Sequence, residues 1–169
     1  MNEEAREELV KLLPRLRRFA FGLTGKMQDA DDLVQAACER ALDRLHQWVP
    51  GTRLDSWMFR IMKNIFLDGI RKHKLRGDPI DPDGYAHLAD ADAHRLPEIR
   101  SNLSHVAAAI ERLPENQRLV LMLVCVEEHS YREAAEIIGI PVGTVMSRLA
   151  RARIRLSQLL KNSSNYFGG

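Results

Sequence analysis

Apolar residues recur at the three-and-four spacing of an amphipathic helix along most of this chain. Leu9, Leu12, Leu13, Leu16, Phe19, Ala20 and Leu23 mark a first helix that ends at Thr24-Gly25. Pro14 lies inside it and lacks an N–H, so a bend or restart is expected there. The acids Asp29, Asp31 and Asp32 suit the positive end of a second helix dipole. Its apolar positions, Leu33, Val34, Ala37, Cys38, Ala41, Leu42 and Leu45, continue toward Pro50-Gly51. Thr52 and Asp55 have capping-box spacing before a third helix, with Trp57, Met58, Ile61, Met62 and Ile65 on its apolar face. Trp57 reads as a core aromatic, while Phe59 fits either core packing or stacking. The third helix closes on the basic run Arg71-Lys72-His73-Lys74, which suits a helix C-terminus.

Between Arg76 and Arg100 the period lapses. Pro79, Pro82, Pro97, Gly77 and Gly84 break regular structure, and Asp78, Asp81, Asp83, Asp90, Asp92 and Glu98 make the stretch acidic. Helical spacing returns with Leu103, Val106, Ala107, Ile110 and Leu113. Pro114 then opens a very apolar helix through Leu119 to Val126. Ser130 and Glu133 form an S-x-x-E capping box ahead of Ala134, Ala135, Ile137 and Ile138. Gly139 can take the left-handed conformation that ends a helix, and Pro141 suits the first turn of the next. Two helices around so short a turn form a helix-turn-helix pattern. The expected fold is all-α. Two small helical domains, 1–75 and 101–162, are joined by an acidic flexible linker, 76–100; the second is the helix-turn-helix, and a disordered tail, 163–169, follows it.

On a wheel of about 100° per residue the helix after Pro141 separates into two sides. Val145, Leu149, Ala152 and Leu156 form a stripe expected to be buried. Thr144, Ser147, Arg148, Arg151 and Arg155 gather on another side. The net charge of the chain is only +2, but the last acid is Glu136, so this helix carries cations with nothing to neutralise them. Hydroxyls and forked guanidiniums on one exposed helix face are what the DNA major groove accepts, from guanine edges and from phosphates.

Other classes find little support. No apolar run reaches the length of a membrane span and the acidic N-terminus does not resemble a signal peptide, so a cytoplasmic location without membrane insertion is expected. Cys38 and Cys125 lie far apart in apolar patterns and read as buried free thiols. The histidines have no ligand spacing, so no metal is assigned. No nucleophile, phosphate loop or cofactor motif emerges, and no catalytic residue, cofactor or small-molecule substrate is expected.

The C-terminal stretch "LPENQRLVLMLVCVEEHSYREAAEIIGIPVGTVMSRLARARIRL" resembles the fourth conserved region of extracytoplasmic-function (group IV) sigma factors of bacterial RNA polymerase. "DADDLVQAACERALDRLHQW" with "SWMFRIMKNIFLDGIRK" is similar to their second region. The resemblance implies a transcription initiation factor whose N-terminal domain docks on core RNA polymerase, contacting the beta-prime and beta subunits, and captures the melted minus-10 promoter element. Its C-terminal domain would read the duplex minus-35 element.

Carried over by motif, Asp32, Leu33, Val34 and Gln35 match the core-binding signature, with Arg40 and Asp43 on the same helix. Lys63 and Asn64 match a basic-Asn pair that meets the minus-10 strand, with Arg60, Arg71 and Lys72 near it. Thr144, Ser147, Arg148, Arg151 and Arg155 would face minus-35 DNA. An anti-sigma factor is the implied regulator. Met146 stands where the family often has Lys or Arg. Two other functions compete: a stand-alone helix-turn-helix regulator, and a sigma-like decoy that sequesters an anti-sigma factor.

Overall fold

The computed structural model describes residues 3–77 and 97–167, with side-chain environments for 3–77 and 104–162. Among these residues there are seven α-helices and no strand. They are α1 (Glu3–Thr24), α2 (Met27–Asp43), α3 (Leu54–Arg76), α4 (Pro97–Glu111), α5 (Glu115–Leu121), α6 (Tyr131–Ile138) and α7 (Val142–Phe167). A 3-10 turn, Leu45–Gln47, follows α2, and a π-helical turn, Met122–Val126, follows α5. No helix among the described residues is long and apolar enough to cross a membrane.

Several elements depart from expectation for identifiable reasons. Pro14 neither ends nor restarts α1; the carbonyl it deprives of a partner belongs to Val10, which is exposed. The capping box at Thr52 does not form. Thr52 Oγ1 donates instead to Val49 O at 2.6 Å, and the residue before α3 is Arg53. α4 opens at Pro97, inside the span read as linker, because proline is at home in a first turn. The rest of that span, 78–96, lies outside the described residues. α7 runs on through Phe167, past the expected start of the tail at 163, with no glycine or proline between Gly143 and Gly168 to stop it.

The capping box at Ser130 forms in full: Glu133 N donates to Ser130 Oγ at 3.1 Å and Ser130 N donates to Glu133 Oε2 at 3.0 Å. Gly139, at φ +80°, ends α6 in the left-handed region that favours glycine. Its N–H and that of Ile140 both return to Ala135 O. Pro141 O then accepts from Thr144 and Val145, and α7 begins.

One continuous core runs through both halves. Leu16, Phe19 and Leu23 of α1 are fully buried, as are Met58, Phe59 and Met62 of α3. Leu119, Leu123, Ile137, Val145 and Leu149 extend the core into the C-terminal half. Each large apolar side chain so buried stabilises by about 1.5–3 kcal/mol before chain entropy is counted.

The halves meet closely. A Cβ on Gly22 would lie 2.3 Å from Met122 Cε, so a larger residue there would have to push the end of that methionine aside. Phe59 meets Phe19 edge-on at 4.7 Å and His129 edge-on at 5.3 Å. Arg118 donates to Leu23 O at the end of α1 and to Glu111 O and Leu113 O at the end of α4.

Candidate nucleic-acid interface

α7 presents the sides its sequence spacing foretold. Val145, Leu149 and Ala152 are buried, while Leu156 is only half-buried; Leu159 completes the stripe further on. Ser147, Arg151 and Arg155 are exposed, and Thr144 and Arg148 are half-buried at the edge of the same side. Ser147 Oγ donates to Thr144 O at 3.1 Å, leaving its lone pairs as acceptors. Met146, 52% exposed, lies away from them, about 200° around α7 from Thr144. Arg153 lies on the other flank, where its guanidinium approaches Cys125 Sγ at 3.9 Å. Cys125 is therefore an exposed thiol, contrary to its sequence pattern, because the π turn rotates it out of the apolar face; Cys38 is half-buried and burial pushes its thiol pKa up.

On α3 the helical repeat places Arg60, Lys63, Asn64 and Arg71 along one side, with Lys72 roughly a quarter-turn away. Arg60, Asn64, Arg71 and Lys72 are exposed and Lys63 is half-buried. Arg60 Nη2 donates to Glu136 O at 3.1 Å, and Lys63 Nζ to Ile138 O at 3.3 Å. Burial, and then the neighbouring Arg60, lower the Lys63 pKa. Both cations thus meet the carbonyl end of α6, whose own last turn has no basic residue.

The α2 signature divides. Asp32 and Gln35 are exposed, and with Glu39 and Asp43 they line one outward side; Gln35 Nε2 donates to Glu39 Oε1 at 3.2 Å. Arg40 is half-buried. Leu33 and Val34 are buried and belong to the core rather than to any outer surface.

A group of charged residues between the halves follows no local pattern in the sequence. Glu127, whose side chain is fully buried, accepts from Arg15 Nε at 3.1 Å and from Arg18 Nε and Nη2 at 3.0 and 3.1 Å. Arg15 Nη1 also donates to Asp55 at 3.2 Å. Arg53 donates to both oxygens of Asp55, at 3.1 and 2.7 Å, and to Glu133 at 2.5 Å. Burial raises the Asp55 pKa, but Arg53, the Ser56 N–H and Arg15 outweigh it and hold the carboxyl below its ordinary value. Glu133 is lowered first by the Ser130 N–H and then by Arg53. His129 Nδ1 lies 3.4 Å from Glu133, and burial keeps this imidazole below its ordinary pKa. Residues 15 and 127 are 112 positions apart, a separation that only the tertiary fold can close.

Both halves of the chain match known proteins. Residues 9–76 match the model for Sigma-70 region 2, and residues 105–156 match that for Sigma-70, region 4. The ECF RNA polymerase sigma factor EcfG of Rhodopseudomonas palustris is 37% identical over 161 residues, spanning 95% of this chain and 87% of that protein. The chain belongs to the ECF RNA polymerase sigma factors. Among solved structures, this ECF sigma factor is similar to RpoE of Bartonella quintana, seen in complex with the anti-sigma factor NepR. The TM-score is 0.76 at 31% identity, covering 95% of this chain and 98% of that one. CnrH, in complex with the cytosolic domain of CnrY, gives 0.70 at 26% identity over 95% and 90% of the two chains.

Proposed function

We propose that this ECF sigma factor binds core RNA polymerase and directs it to particular promoters, acting in the cytoplasm and leaving all chemistry to the polymerase. The observation that carries this reading is the coexistence, on one chain, of the acid-free side of α7 and the cationic side of α3. The first suits duplex DNA in its major groove. The second suits a single strand held along its phosphates.

In this reading Thr144, Ser147, Arg148, Arg151 and Arg155 contact the minus-35 element. Arg60, Lys63, Asn64, Arg71 and Lys72 contact the minus-10 strand. Asp32, Gln35, Arg40 and Asp43 meet the polymerase, while Leu33 and Val34 shape α2 from within. Residues 1–75 and 101–162 act as the two functional units. Similarity to the sigma factor RpoE, solved with the anti-sigma factor NepR, supports an anti-sigma factor as the regulator.

Transcription in vitro with core enzyme and a genomic template library tests the proposal. Promoter-specific transcripts that depend on this protein are expected. Tight, sequence-specific operator binding by the protein alone would favour the stand-alone regulator, and an absence of transcripts would favour the decoy.

A further inference from the structure

The exposed side of α7 is not uniform. Side chains four apart in sequence line up along a helix, and here they form two lanes. Met146, Ala150 and Ile154 make an apolar lane; all three are exposed, Met146 at 52% and Ile154 at 61%. Ser147, Arg151 and Arg155 make a polar lane, also exposed, about 100° further round. Val145, Leu149 and Ala152 fix the buried direction. The direction opposite to them passes between Ile154 and Ser147, so both lanes face outward. Arg153 borders the apolar lane but turns to Cys125 Sγ at 3.9 Å.

We propose that the apolar lane reads thymine methyl groups in the duplex, with Met146 and Ala150 each covering one, while the polar lane holds the neighbouring base edges and phosphates. This recognition rests on the assignment of α7 to the minus-35 element, to which it adds the class of base pair. In the major groove the C5 methyl of thymine is the apolar group on a base-pair edge, and it marks A·T pairs. A recognition helix meets base edges with its N-terminal residues, and both side chains lie near the start of α7, which opens at Val142. Four residues advance about 6 Å along a helix, close to two base-pair steps of about 3.4 Å. The methyls so read therefore lie about two base pairs apart. Duplex DNA suits this side better than an apolar protein surface does, because the second lane is cationic and no acid follows Glu136 to repel phosphates.

Holoenzyme assembled from the full chain and core polymerase is presented with duplex DNA carrying a randomised minus-35 block, and the bound fraction is sequenced. Thymines about two positions apart should be enriched. The preferred duplex is then remade with deoxyuridine at those thymines, which removes the methyl groups and leaves every hydrogen-bonding group in place. Binding is followed by anisotropy of the labelled duplex. The parent holoenzyme should lose roughly fourfold in affinity for each methyl. Met146→Ala should bind the thymine duplex more weakly and lose the discrimination at one position, whereas Arg151→Ala should weaken binding to both duplexes and keep it.

Equal binding of the thymine and uracil duplexes by the parent overturns the proposal, as does a Met146→Ala holoenzyme that is as sensitive to uracil as the parent. Weaker assembly of Met146→Ala with core polymerase in the absence of DNA overturns it too, and makes the lane a docking face for protein. A holoenzyme that selects no sequence at all sinks the promoter assignment together with the lane. Sequence selection without a difference between thymine and uracil sinks only the methyl contact.

Discussion

Replacing Arg118 with methionine would isolate the contribution of one side chain that ties three chain segments together. The arginine donates to Leu23 O at the end of α1 and to Glu111 O and Leu113 O at the end of α4. Carbonyls at helix ends have lost their in-helix partners and carry partial negative charge, so a cation is their best match. Hydrogen bonds from a charged group are worth about 1.5–3 kcal/mol each. Burial, which lowers the Arg118 pKa, works against the charged form, and the methionine stem keeps the apolar packing while relieving that penalty. The net expected loss is therefore about 2–4 kcal/mol rather than the full sum. For a chain of this size, each kcal/mol moves the melting temperature by about 2–4 °C, so the midpoint should fall by roughly 5–15 °C. Thermal melts by far-ultraviolet circular dichroism at constant pH measure it. Arg118→Lys should fall between, because one compact ammonium cannot span all three carbonyls. A methionine variant melting within about 2 °C of the parent would show that the ends of α1 and α4 do not depend on this tie.

Other outcomes follow from burial and charge. Leu149→Ala should destabilise by about 2–5 kcal/mol, whereas Arg151→Ala should change stability by no more than about 0.5 kcal/mol; equal urea midpoints for the two would refute the division of α7. Gly22→Ala should cost about 1–3 kcal/mol through overpacking against Met122, and the double variant with Met122→Ala should recover most of it, as a double-mutant cycle in urea would show. His129 is faced by Glu133 from α6 and by Asp55 and Arg53 from the start of α3. Its folded pKa lies below the ordinary 6.5, so the unfolded chain binds more protons in that window, and stability should decline as pH falls below 6.5 through the folded value. Asp55 and Glu133, lowered from 3.8 and 4.5, should add a second decline at more acid pH. A urea midpoint flat between neutral pH and pH 5 would contradict the first decline, and His129→Gln should flatten it.

Features set by near neighbours along the chain are legible in the sequence itself. The Ser130 and Glu133 cap, the left-handed Gly139 and the stripe Val145, Leu149 and Ala152 each depend on residues within a turn or two of one another. Asp55 shows where local pattern fails. Its spacing from Thr52 fits a cap, but Arg53 and Arg15 offer the carboxylate stronger partners, and one of them comes from another helix. Leu33 and Val34 fail differently: the motif names them beside Asp32 and Gln35, yet consecutive helix positions turn through about 100°, so two point inward and two outward. Cys125 and Glu127 escape helical periodicity because the π turn changes the direction of everything after Leu121, and the apolar run "LMLVCV" gives no sign of it. Arg15, Arg18 and Glu127 are joined only by the tertiary fold.

The π turn at Met122–Val126 also makes residue count as important as residue identity. Glu127 N returns to Met122 O, five positions back, where a regular helix would return four. Were this stretch to wind as an ordinary α-helix with all its residues kept, the following side chains would swing by about 100°. Glu127 would then no longer point at Arg15 and Arg18, although every charge in the protein would remain. The docking of the two halves is in this sense a matter of phase, and it holds only while this apolar run stays wound as a π turn.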